Sequence, residues 1–115
     1  MTTKLVEITS LTELENTLAR SDNRKQLIFK HSNACPISTM AYNEMQGYLQ
    51  KSPAEDVDYS LIVVQTARNV SNEVATKLNV QHQSPQAILV YKGQAIWHKS
   101  HYDINKSSLA NAVKD

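Results

Sequence analysis

A single cysteine, Cys35, is followed at once by Pro36, then by Ile37 and Ser38. Proline suits the first position of a helix, where its missing N–H is not needed. The run therefore places Cys35 at the cap of a helix. Unpaired N–H groups and the positive end of the helix dipole gather there, and both favour thiolate over thiol. Thiolate is the nucleophile of thiol–disulfide exchange. A free cysteine is more often a small buried hydrophobe. The Cys-Pro placement is what argues for a reactive sulfur instead.

With one cysteine, no intramolecular disulfide can form and a cysteine-rich zinc site is excluded. The position at which a dithiol oxidoreductase carries its second sulfur holds Ser38. A mixed disulfide on Cys35 must therefore wait for an external thiol, either a small molecule or a partner reductase. The Ser38 hydroxyl is expected to hydrogen-bond Cys35 across the first turn. His31, four residues upstream, is expected to tune the thiolate as a nearby cation. His82, His98 and His101 lie late in the chain without metal-ligand spacing, so no metal is expected. Trp97 and His98 read as packing residues of a hairpin. No isolated carboxylate pair supports hydrolase chemistry.

The elements that must position Cys35 follow from periodicity. Lys4 to Ile8 alternates like a short strand. Ser10-Leu11-Thr12-Glu13 is a capping box, with Leu11, Leu14 and Leu18 at helical spacing up to Ser21-Asp22-Asn23. Gln26 to Lys30 is a short buried strand. Ile37, Met40, Ala41, Met45, Tyr48 and Leu49 predict a helix over Pro36–Gln50, stopped by Ser52-Pro53. Val57 to Gln65 reads as a strand whose Leu61–Val64 run is buried on both faces. Val70, Val74, Ala75 and Leu78 mark a helix opening near Ser71. Gln86–Tyr91 and Ala95–Lys99 form a hairpin across Lys92-Gly93-Gln94. Leu109, Ala110 and Val113 line a last helix.

The order is βαβαβαββα, an α/β chain with a central mixed sheet flanked by helices. That is the thioredoxin topology. In that fold, the position of Ser84-Pro85 holds a cis proline beside the active cysteine, and X–Pro is the one common site for a cis bond. The backbone before such a proline can pair with an incoming peptide as an added strand. Ser84, Pro85 and Gln86 are accordingly the expected substrate-binding residues.

Composition limits the remaining possibilities. At 115 residues the chain fits one domain, 1–115. Its formal charge of +1 is spread among interleaved acids and bases, which gives no footprint for nucleic acid. Leu61–Val64 is the longest apolar run, far short of a membrane span. Met1 to Ser10 does not read as a signal peptide, and a cytoplasmic protein is expected.

The chain resembles the YtxJ-type monothiol bacilliredoxins of the thioredoxin superfamily. The matching residues are Lys30-His31-Ser32 leading to Cys35-Pro36-Ile37-Ser38, then His82-Gln83-Ser84-Pro85-Gln86, then Trp97-His98 and Ser100-His101 before Ile104. Ala34 stands where such proteins usually have threonine. The resemblance implies reduction of mixed disulfides between protein cysteines and bacillithiol, a cysteine-containing glycoside thiol. In that scheme Cys35 takes over the bacillithiol and a further thiol or reductase regenerates it. The small thiol would be a co-substrate, with no resident cofactor. Two other classes fit a lone cysteine on this fold. One is an iron–sulfur carrier like the monothiol glutaredoxins, which Pro36 disfavours by stiffening the loop. The other is a redox-silent interaction module.

Overall fold

The computed structural model describes residues 5–51 and 53–114. Lys4, expected to head the first strand, the rest of Met1–Lys4, and Ser52 of the expected helix stop lie outside the described residues. The elements are β1 (Val6–Glu7), α1 (Leu11–Arg20), β2 (Lys25–His31), α2 (Pro36–Lys51), β3 (Val57–Val63), α3 (Arg68–Leu78), β4 (Gln86–Tyr91), β5 (Gln94–Ser100) and α4 (Lys106–Ala112). One turn of 3-10 helix, His101–Asp103, joins β5 to the last helix.

The strands line up as β1-β3-β2-β4-β5. β2 pairs in parallel with β3 and antiparallel with β4, so it sits in the middle of the sheet. That position explains its sequence. Gln26 to Lys30 is buried without a break, as expected of a strand covered on both faces. Leu27 and Phe29 face one apolar layer, with Ala41, Met45 and Leu49 of α2 and Leu109 of α4. Ile28 faces the other, with Leu14 of α1 and Val70 and Val74 of α3.

Several local expectations change. β3 ends at Val63, and Leu61 and Val63 are only half-buried. Its outer neighbour β1 is two residues long, so β3 behaves as a near-edge strand. Leu11 and Met40 were expected on inner faces but are 41% and 56% exposed. Thr17 and Ser38 are buried in their helices instead, each with its hydroxyl bonded internally. α3 opens at Arg68 rather than near Ser71, and its cap residue Ala67 makes no side-chain cap bond that would mark the start. Asn105 caps α4 reciprocally with Ser108. The β4–β5 link is tighter than expected, with Lys92 (φ 54°) and Gly93 (φ 74°) both left-handed. Ser21 pins that turn, its carbonyl and hydroxyl accepting the N–H groups of Lys92 and Gly93.

Candidate active site

β2 delivers the chain to the carboxyl end of the sheet, and α2 leads it away. Between them, Ser32 to Cys35 form a short connection. Cys35 is half-buried and free, directly before the first helical residue, Pro36. The N–H groups of Ser38 and Thr39 donate to its carbonyl at 3.1 and 3.2 Å. Pro36 has no N–H, so the first amide of the turn not directed at a carbonyl is that of Ile37. No acidic residue stands in the first turn of α2 to oppose a negative sulfur. The thiol lies in a shallow depression lined by Asn33, Ala34, Pro36 and Thr39.

Ser38 and His31 are brought together, but not in the roles expected. The Ser38 hydroxyl is fully buried and turned toward β2. It accepts the Ser32 N–H at 2.9 Å and contacts His31 Nδ1 at 2.9 Å. The hydroxyl can donate to or accept from Nδ1, so the His31 contact is a hydrogen bond in either ring tautomer. The hydroxyl therefore braces the connection ahead of Cys35 rather than bonding across the turn to the sulfur.

The His31 ring stacks on Phe29 at 6.1 Å and tilts against Tyr42 at 5.1 Å. Burial holds its pKa below the usual imidazole range, with contact to Ser38 opposing. The expectation of a cation beside the thiolate thus gives way to a neutral packing residue. Ser38→Ala is expected to cost about 1–3 kcal/mol, because it strands the Ser32 N–H and His31 Nδ1 together. Urea unfolding checks this, and a loss under about 0.5 kcal/mol would mean that water replaces the hydroxyl.

Sequence reasoning missed a second brace. Gln65, just past β3, donates from Nε2 to Ser32 Oγ at 2.7 Å and accepts the Asn33 N–H at 3.2 Å on Oε1. Nothing local to Gln65 signals this, since the partners are more than 30 residues apart in the chain.

The other wall comes from β4. Lys30 pairs with Gln86, the last pair of that register, and Pro85 directly precedes Gln86 at this end of the sheet. The Ser84–Pro85 peptide is cis. Pro85 is buried, and its carbonyl accepts the His101 N–H at 3.1 Å. His101 is held left-handed (φ 55°), a conformation non-glycine residues rarely adopt. Ser84 Oγ is buried with no hydrogen-bond partner among the described residues.

Gln86 was expected to touch substrate, but its side chain is buried and committed elsewhere. Its Nε2 donates to the Gln81 carbonyl at 3.1 Å, and its Oε1 accepts the Gln83 N–H at 3.4 Å. It can reach a substrate only through the segment it holds. His31, Cys35, Pro36 and Ser38 thus share the β2–α2 corner, and Ser84 and Pro85 form the adjacent edge. His98 lies on β5, opposite Ile88.

The chain has known relatives. A protein-family model described as monothiol bacilliredoxin BrxC matches residues 6–109. A solved structure described as having a thioredoxin fold is 36% identical, covering 94% of this chain and 92% of its own, with a TM-score of 0.81. Mitochondrial thioredoxin 3 of Saccharomyces cerevisiae is 23% identical over 96% of this chain and 94% of its own, at a TM-score of 0.70. Thioredoxin of Malassezia sympodialis is 14% identical over 96% and 88%, at 0.77. These last two share the fold alone.

Proposed function

Since the chain belongs to the monothiol bacilliredoxin family and is a thiol oxidoreductase of thioredoxin fold, we propose that it removes a low-molecular-weight thiol, bacillithiol, from protein mixed disulfides. The observation that carries the reading is a free cysteine at the start of α2, in a chain whose position 38 is a buried, fully engaged serine. No second sulfur of the chain can resolve an adduct.

Cys35 thiolate attacks the bacillithiol sulfur of the protein mixed disulfide. That S–S bond breaks, the target's thiolate leaves and takes up a proton, and a Cys35–bacillithiol disulfide remains. A second thiol, free or on a reductase, then attacks the bacillithiol sulfur. It becomes the new disulfide partner and returns Cys35 as thiolate. Two electrons pass from the second thiol to the target in each cycle.

The edge at Ser84–Pro85 supports the same reading. The Pro85 carbonyl is already engaged by His101, and proline has no N–H, so a substrate strand would dock on the backbone of Ser84. The absence of a second cysteine suits a reducing compartment such as the cytoplasm, where small thiols are present to complete the cycle. Among the described residues, no helix is long and apolar enough to cross a membrane.

The test is direct. A target protein carrying bacillithiol, and the same target carrying glutathione, are each incubated with this protein, and both chains are followed by mass spectrometry. The expected result is loss of bacillithiol from the target, gain of its mass on Cys35, and slower transfer of glutathione. No adduct on Cys35 with either thiol would sink the proposal. A preference for glutathione would correct the identity of the thiol.

A further inference from the structure

Lys30 is the fully buried charged residue among the described ones, and no carboxylate meets it there. On β2 it alternates with Phe29 and His31 and so points, like Ile28, to the face covered by α1 and α3. A lysine in such a place needs a partner to offset the loss of water around its ammonium. That partner is His82, whose Nδ1 lies 3.1 Å from Lys30 Nζ and 3.4 Å from Ser71 Oγ of α3. An ammonium can only donate, so Nδ1 is the acceptor and the His82 ring is neutral.

His82 belongs to the segment that leads into Ser84–Pro85. The same segment is also held by Gln86, through the Gln81 carbonyl and the Gln83 N–H. Lys30 and Gln86 face each other across the β2–β4 register. Two buried polar side chains therefore converge on four residues of irregular backbone.

We propose that Lys30 is a positioning residue for substrate docking: by holding His82 it holds segment 81–84, and so sets the Ser84 backbone against which a mixed disulfide lies. The inference rests on the function proposed above for Cys35, and adds the device that shapes the docking edge. It also carries a pH dependence. The charged groups facing His82 are both cations, Lys30 from β2 and Arg68 from the first turn of α3. Burial first, and these two cations after it, hold the His82 pKa below the ordinary imidazole value. Burial likewise lowers Lys30 to about 8. Protonating His82 removes the acceptor and sets two cations together, so acidification releases the segment.

The experiment uses Lys30→Met, which keeps most of the apolar stem and removes the charged amine. Replacing buried ionic groups by apolar side chains of similar size is often neutral or stabilising. In Lys30→Met, the amides of Gln81 to Ser84 should exchange with solvent about tenfold faster than in wild type. KM for the mixed disulfide should rise by a similar factor, while kcat and the iodoacetamide alkylation rate of Cys35 stay within about twofold. In wild type KM should climb as pH falls below about 6.5, and in Lys30→Met it should be high and flat over that range. His82→Gln, which keeps an acceptor, should restore most of what His82→Ala loses.

Unchanged exchange at 81–84 in Lys30→Met would overturn the proposal. So would slowed Cys35 alkylation with unchanged KM, which would mean that Lys30 acts on the sulfur through its charge. Should the wild-type protein transfer no thiol at all, the functional reading fails, and the exchange measurement still decides whether Lys30 holds the segment.

Discussion

Replacing Cys35 by alanine should abolish thiol transfer, slowing it by at least about a thousandfold, while leaving the fold as stable as before. The first half follows from the chemistry. Cys35 is the chain's one cysteine, and the loss of an enzyme nucleophile costs several orders of magnitude. Serine should do no better than alanine, since a hydroxyl at its ordinary acidity is a poor nucleophile. The second half follows from the site. Cys35 is half-buried at the edge of a depression, and the backbone groups that fix the turn, its carbonyl with Ser38 and Thr39, survive the substitution. Its unfolding free energy should stay within about 0.5 kcal/mol of wild type. Stopped-flow transfer kinetics and urea unfolding read the two quantities separately. Transfer by the alanine variant at more than a tenth of the wild-type rate would remove Cys35 from the mechanism.

The second large effect lies beneath the site. Phe29→Ala is expected to cost about 3–5 kcal/mol, a large share of the stability of a small domain. Phe29 is fully buried in the central strand and packs in the layer shared with α2 and α4. It is also what His31 and Tyr42 stack on, at centroid distances of 6.1 and 6.3 Å. The cavity would open directly under the residue to which Ser38 is bonded. Transfer by the folded fraction should therefore slow as well, because the brace ahead of Cys35 loses its footing. Phe29→Leu, which refills most of the volume, should recover most of both losses. A cost under about 1.5 kcal/mol for alanine would mean that the layer collapses into the hole.

What could be read in advance was whatever one stretch of chain determines alone. The Cys-Pro pair marks a helix start by proline's own geometry, and α2 begins at Pro36. The unbroken apolar run ahead of it marks a covered strand, and β2 is the sheet's centre. What could not be read depends on partners distant in sequence. Ser38 looked like a neighbour of the sulfur because only its own turn was visible. Its bond to His31 depends on how α2 lies against β2. Gln65, His82 and Lys30 carry no local signature, as each acquires its role from a residue 32 to 52 positions away. Gln86 was placed at the right edge but facing the wrong way. Inward and outward side chains alternate on a strand, and a buried glutamine breaks the usual pattern of apolar residues inside.

The central place of β2 has a consequence for how the protein is made. Both of its neighbours, β3 and β4, follow it in the chain, so a ribosome delivers Cys35 well before either wall of its site exists. About 50 residues separate Cys35 from Pro85, which at typical synthesis speeds is roughly 3–10 s. Through that interval the sulfur travels on an unfinished sheet, with neither Gln65 to order its loop nor Pro85 to flank it. The length of its unguarded period is thus set by translation, and a slower ribosome lengthens it.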